Sequence, residues 1–258
     1  MNNHNTTTMK LLFSILFLSF PLWIQAQCRP ATAQENAAYE RIVKELQRQF
    51  TAKTPQGDWK VFGEKHSIGA LEVTSEWGGF VHLCTDRYDL IMERADIASA
   101  RKALIDSMKP ATSTLPSLYV HLDTMYTENP QAVAQRAQDT YSISVEMNLG
   151  NYRLQDTESA RLVQSSQIIN VAGAPLALEV LLKPDLKGAA GRQETVILLG
   201  GWTTKPIQKG QDTRYQPQFR KGGKLIENLV VTITAPTEIA RQVVKGIDWK
   251  AIDATLLK

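Results

Sequence analysis

Cysteine is nearly absent from this chain: two residues in 258 cannot build the disulfide framework that holds small secreted domains together, so the fold has to rest on a packed core. Histidine is also scarce, with four residues, and none is spaced as His-x-x-x-His or paired with Cys-x-x-Cys, so zinc or another metal has no support in the sequence. Phosphate-cradling glycine motifs are missing. Gly222-Gly223-Lys224 has neither the preceding glycine nor the following Ser/Thr of a P-loop, and no cofactor is expected. Charge of one sign is missing too. The formal net charge is +3, too close to balance for a nucleic-acid binder, and no nucleic-acid partner is expected.

Long apolar runs are equally lacking. Residues 11 to 22, LLFSILFLSFPL, make a run too short to cross a bilayer as a helix. Lys10 precedes it and WIQAQC follows, the pattern of a secretory signal with Ile24 and Ala26 at the positions the peptidase reads. Met9 would by itself start a complete signal of this kind. The expectation is a signal peptide over 1–26 and an exported region over 27–258, periplasmic or extracellular, with no transmembrane segment in the mature chain. Cys28 follows the cleavage point, but Gln27 and Gln25 occupy positions where lipoprotein signals carry small and aliphatic residues, which argues against a lipid anchor at Cys28. Cys28 and Cys84 either close a disulfide loop of about 57 residues or remain apart. Spacing alone leaves both readings open.

What is present reads as α+β: mainly antiparallel sheet with amphipathic helices packed on one side. Tyr39, Ile42, Val43, Leu46 and Phe50 recur at helical spacing. ALEVTSEW and FVHLCTDRYDLIME flank Gly78-Gly79 and read as a hairpin. Asp96 is placed to cap a helix striped by Ile97, Leu104 and Met108. PATSTLP follows it, and any division of the exported region falls there, near 111–116. SLYVHLDTMY alternates as a strand. YSISVEMNL sends Tyr141, Ile143, Val145, Met147 and Leu149 to one face and polar residues to the other, as an antiparallel sheet with one wet face requires. Four more strand runs follow, ARLVQSSQIINVA, PLALEVLLK, ETVILLGG and KLIENLVVTITA. Pro236 then opens a helix, and a short apolar segment with Trp249, Ile252 and Leu256 closes the chain.

Two constellations compete for function. His66, His82 and His121 are the histidines of the exported region. His121 and Asp123 share one side of a strand, and His66-Ser67 invites a nucleophile reading, although Ser67 lacks the glycine two before it that a hydrolase elbow needs. Alternation along the strand explains His121 and Asp123 without a site. The other constellation is GGWTTKPIQKGQDTRYQPQFRKGG, residues 200 to 223, read as an unpaired loop between two strands because Pro206 and Pro217 interrupt any ladder. Lys205, Lys209, Arg214, Arg220 and Lys221 oppose a single Asp212, with Tyr215 and Phe219 between them. Cations interleaved with rings suit an anionic or carbohydrate ligand. The preferred expectation is a non-catalytic envelope or extracellular binding protein using this stretch. The alternative is a secreted hydrolase with a histidine-based site.

Overall fold

Thr32 and Glu35 fix where the first helix, α1 (Ala33–Ala52), begins. The Thr32 hydroxyl accepts the Glu35 amide at 3.3 Å, and the Glu35 carboxylate accepts the Thr32 amide at 2.7 Å, a reciprocal capping box. Arg29 donates twice more to that carboxylate, at 2.8 Å each. The bond from Arg29 is the main reason the Glu35 carboxyl sits at a pKa of about 2 rather than the ordinary 4.5. A carboxyl held low stabilises the fold fully above its ordinary value and loses that contribution as pH falls toward 2. Glu35→Gln is therefore expected to cost about 1 kcal/mol at pH 7 in urea unfolding, and the gap between variant and wild type should close as pH drops from 4.5 to 2. A gap that persists at pH 2 would refute this account of the cap.

The computed structural model describes residues 28–52, 59–74, 82–84, 86–108, 139–155, 163–183, 193–219 and 225–256. The expected signal segment, the turn expected at Gly78-Gly79, the candidate division at 111–116, the strand expected over SLYVHLDTMY, and His121 lie outside them. In chain order the strands are β1 (Arg29–Pro30), β2 (Trp59–Lys65), β3 (Glu72–Thr74), β4 (His82–Leu83), β5 (Arg87–Arg94), β6 (Thr140–Met147), β7 (Tyr152–Gln155), β8 (Val163–Ile169), β9 (Leu176–Leu182), β10 (Gln193–Gly200), β11 (Ile207–Lys209), β12 (Asp212–Tyr215) and β13 (Asn228–Thr234). The other helices are α2 (Ala95–Met108), α3 (Thr237–Gly246) and α4 (Trp249–Leu256).

Seven strands form the main sheet in the order β2-β5-β6-β13-β10-β9-β8, antiparallel at every step. Two three-stranded sheets flank it, β1-β3-β4 and β11-β12-β7. The fold is thus mixed, with antiparallel sheet dominant and a few helices. β5 and β6, which lie on either side of residues 111–116 in the chain, are neighbours in the same sheet.

The alternation of β6 is met in full: Tyr141, Ile143, Val145 and Met147 are buried, while the residues between them are half-exposed. The stripe of α1 is buried with them, and α3 and α4 add Ala240, Val243, Trp249, Ile252 and Leu256 to the same apolar cluster. A second cluster occupies the opposite face of β9, β10 and β13. There Leu178, Val180, Val196, Leu198 and Val230 meet Tyr152 and Leu154 of β7, Trp202, and Tyr215 of β12. Covered on both sides, β10 is buried at all six interior positions. Such strands lose alternation and read as continuous apolar runs.

The strands depart from expectation in two details. β3 and β4 do pair as a hairpin, but the long second run divides at Cys84, so that β4 joins the small sheet and β5 the large one. β2 is an additional strand. Its partner is β5, with a bulge between Val61 and Gly63 that breaks its period.

Polar side chains lock the end of the sheet from which the basic stretch departs. Asn148 has a left-handed backbone, φ 53°. Its Oδ1 accepts the Glu227 amide at 2.7 Å, its Nδ2 donates to the Leu225 carbonyl, and Asn228 bonds both backbone groups of Leu149. Gly200, at φ 83°, lies so close to Glu227 that a Cβ would collide with that residue's carbonyl oxygen, and its amide donates to Asp253 of α4 at 2.7 Å.

Candidate functional site

The basic stretch is a paired ribbon rather than an open loop. The Gln218 amide donates to the Gly201 carbonyl at 2.8 Å and the Thr203 amide to the Gln216 carbonyl at 2.9 Å. Trp202 and Pro217 face each other between those bonds. This is a position in an antiparallel pair where no N–H is needed, so Pro217 fits without breaking the ladder. Further out β11 pairs with β12 across a turn at Gly210, φ 62°, and β12 pairs with β7. Tyr215 is 2% exposed, and Trp202, 7% exposed, donates its Nε1–H to the Leu199 carbonyl at 2.9 Å. Both rings anchor the ribbon to the second cluster. Burial raises the Tyr215 hydroxyl pKa, and its ring is not a stacking surface.

Strand alternation places Lys209 of β11 and Arg214 of β12 on the face opposite the buried Tyr215. Lys205 and Lys209 are exposed, Arg214 is half-buried, and no salt bridge joins any of the three to another described residue. Arg214 Nε is buried without a hydrogen-bond partner among the described residues. Arg214 stands directly opposite Arg153 of β7. Arg153 is exposed between buried Tyr152 and Leu154, so its side chain leaves the outer face. Ile207, 37% exposed, opposes Arg214 on the other flank. Phe219 is half-buried, and Arg220 and Lys221 lie outside the described residues. Sequence reading missed Arg153 because it falls in a four-residue strand 60 positions away, and only the strand register reveals the pair.

The histidine alternative has one described centre. The Tyr39 hydroxyl donates to Asp86 Oδ1 at 3.0 Å and accepts the Ser67 amide at 3.0 Å. Burial pushes the Asp86 carboxyl pKa up, the side chains of Tyr39 and Ser67 pull it down, and His66 adds a smaller lowering. Asp86 Oδ2 is buried without a hydrogen-bond partner among the described residues. His66 is exposed, and its Nδ1 accepts the Ile68 amide at 3.4 Å. No hydrogen bond joins the imidazole to the Ser67 hydroxyl, the contact a nucleophile and its base require. His82 is on β4. No cluster of three or more His, Cys, Asp or Glu side chains able to hold a metal occurs among the described residues.

Cys28 and Cys84 are bonded, with Cα atoms 6.0 Å apart. Among the described residues no helix is long and apolar enough to cross a membrane. Comparison with protein-family models, with curated proteins and with solved structures found no match.

Proposed function

We propose that the chain is a non-catalytic binding protein of the envelope or extracellular space, which captures an anionic carbohydrate polymer on the outer face of the β11-β12-β7 ribbon. The disulfide is compatible with such a compartment. Helices layered on one side of the main sheet would leave the ribbon on the other side free to meet a partner. The observation that carries the proposal is the pairing of Arg153 with Arg214. Two guanidinium groups at facing register positions on neighbouring strands offer an anion several N–H donors at once. Lys205 and Lys209 extend the positive surface along the ribbon.

The test is retention on immobilised dextran sulfate and polygalacturonate, with uncharged dextran as control. Wild type should bind the polyanions, more weakly as salt rises. The double variant Arg153→Ala, Arg214→Ala should keep its fold and bind at least tenfold more weakly. Failure of wild type to bind either polyanion, or equal binding by the variant, rejects the proposal.

Half-buried Asp86 beside Tyr39, Ser67 and His66 supports a hydrolase as the second reading, because carboxyls whose pKa burial raises cluster at catalytic sites. On the binding reading His66→Ala leaves polyanion retention unchanged, and no new reducing ends appear in the bound polymer. Release of reducing ends by wild type but not by His66→Ala would establish the hydrolase instead.

A further inference from the structure

A separate cavity of about 370 Å³ opens between α3 and the β8–β9 end of the main sheet, within the size range of small-molecule sites. It lies on the face that α3 and α4 cover, whereas the ribbon packs on the other. The turn after β8 builds one wall. Gly173 holds φ 83° there, and a Cβ would meet the Lys250 amide nitrogen at 2.8 Å, so the turn packs closely on the start of α4.

The polar lining is divided by sign. Glu179 on β9 faces the cavity next to its register partner Thr195 on β10, and the Gln167 side chain holds its carboxylate at 2.6 Å. Arg241 and Lys245 line the helix side. Four residues apart on α3, they share one face. Arg241 also keeps an exposed contact with Glu238 at 3.0 Å, while Lys245 pairs with no described residue. No salt bridge closes between Glu179 and either cation. A carboxylate and two cations therefore face one cavity without neutralising each other, and Ile169 and Val244 supply an apolar lining.

We infer that this cavity binds a small zwitterion with an aliphatic body, the chemistry of a free aliphatic amino acid or a dipeptide. Its ammonium meets Glu179 and Thr195, its carboxylate meets Arg241 and Lys245, and its side chain covers Ile169 and Val244. Each end brings a counter-charge that the opposite wall does not supply, and the aliphatic body excludes water between them, which strengthens both charge contacts.

Calorimetric titration of the full chain with L-leucine and L-leucyl-L-leucine tests this, with N-acetyl-leucine lacking the ammonium and leucinamide lacking the carboxylate. At least one zwitterion should bind, and both blocked forms should bind at least tenfold more weakly. Glu179→Gln and Lys245→Met should each weaken the zwitterion at least tenfold, with the far-ultraviolet dichroism of wild type. The Arg153→Ala, Arg214→Ala variant should bind it as wild type does, so failure at the ribbon and failure here are separable. Absence of binding by both zwitterions, or equal binding by N-acetyl-leucine or leucinamide, overturns the inference.

Discussion

Replacing Cys84 with serine is expected to lower the unfolding free energy by about 4 kcal/mol, because the Cys28–Cys84 bond spans 56 residues and a loop of that length loses considerable entropy when closed in the unfolded chain. The Cα separation of 6.0 Å is ordinary for a bridged pair. Local effects add to the global one. Cys28 precedes β1, a strand of two residues, and Cys84 follows β4, also of two residues. A sheet held by so few pairs persists only when tied elsewhere. Urea unfolding of Cys84→Ser, and of wild type with and without reductant, should show the same loss. An unchanged midpoint after reduction of wild type would remove the bond from the account of stability.

Trp249→Ala should cost about 3–5 kcal/mol. The side chain is 1% exposed, its ring lies 6.4 Å from that of Phe50 in α1, and its Nε1–H donates to the Val244 carbonyl at 2.8 Å. Alanine leaves a cavity between the first and last helices and takes the donor from that carbonyl. Its neighbour adds a second tie between the same elements, since the Asp248 amide donates to the buried Gln49 side chain at 3.1 Å. Trp249→Phe keeps most of the volume and loses only the hydrogen bond, for an expected cost of about 1–2 kcal/mol. If alanine costs no more than phenylalanine in the same denaturation series, the ring is not the joint between these helices.

Elements with a single periodic face are legible in the order of residues alone. The stripe from Tyr39 to Phe50 and the alternation from Tyr141 to Met147 state which side is buried, because each element has one dry face. Sheet order is not legible in this way. Which strand lies beside β6 depends on contacts between residues far apart in the chain, such as Met147 with Leu229, and no local pattern encodes them. The ribbon is hidden for a different reason. Its inward residues, Trp202 and Tyr215, are 13 positions apart on opposite strands, and Pro217 reads as a breaker unless its non-hydrogen-bonded position is known. The cations are visible as composition, whereas the Arg153–Arg214 pair, which gives them a geometry, exists only through the register of β7 with β12.

The tie between α1 and α4 also sets when the molecule can be completed. A chain leaves the ribosome with its N-terminus first, so the Tyr39-to-Phe50 face is made well before Trp249, Ile252 and Leu256, its partners in the same cluster. β5 waits for β6 and β6 for β13, so no partial chain ending before about residue 235 can fill the middle of the main sheet. Long-range pairings of this kind are slow to close and leave apolar edges open in the interval. Synthesis therefore hands an unfinished polymer to whatever meets it next until β13 and the two helices after it have been made.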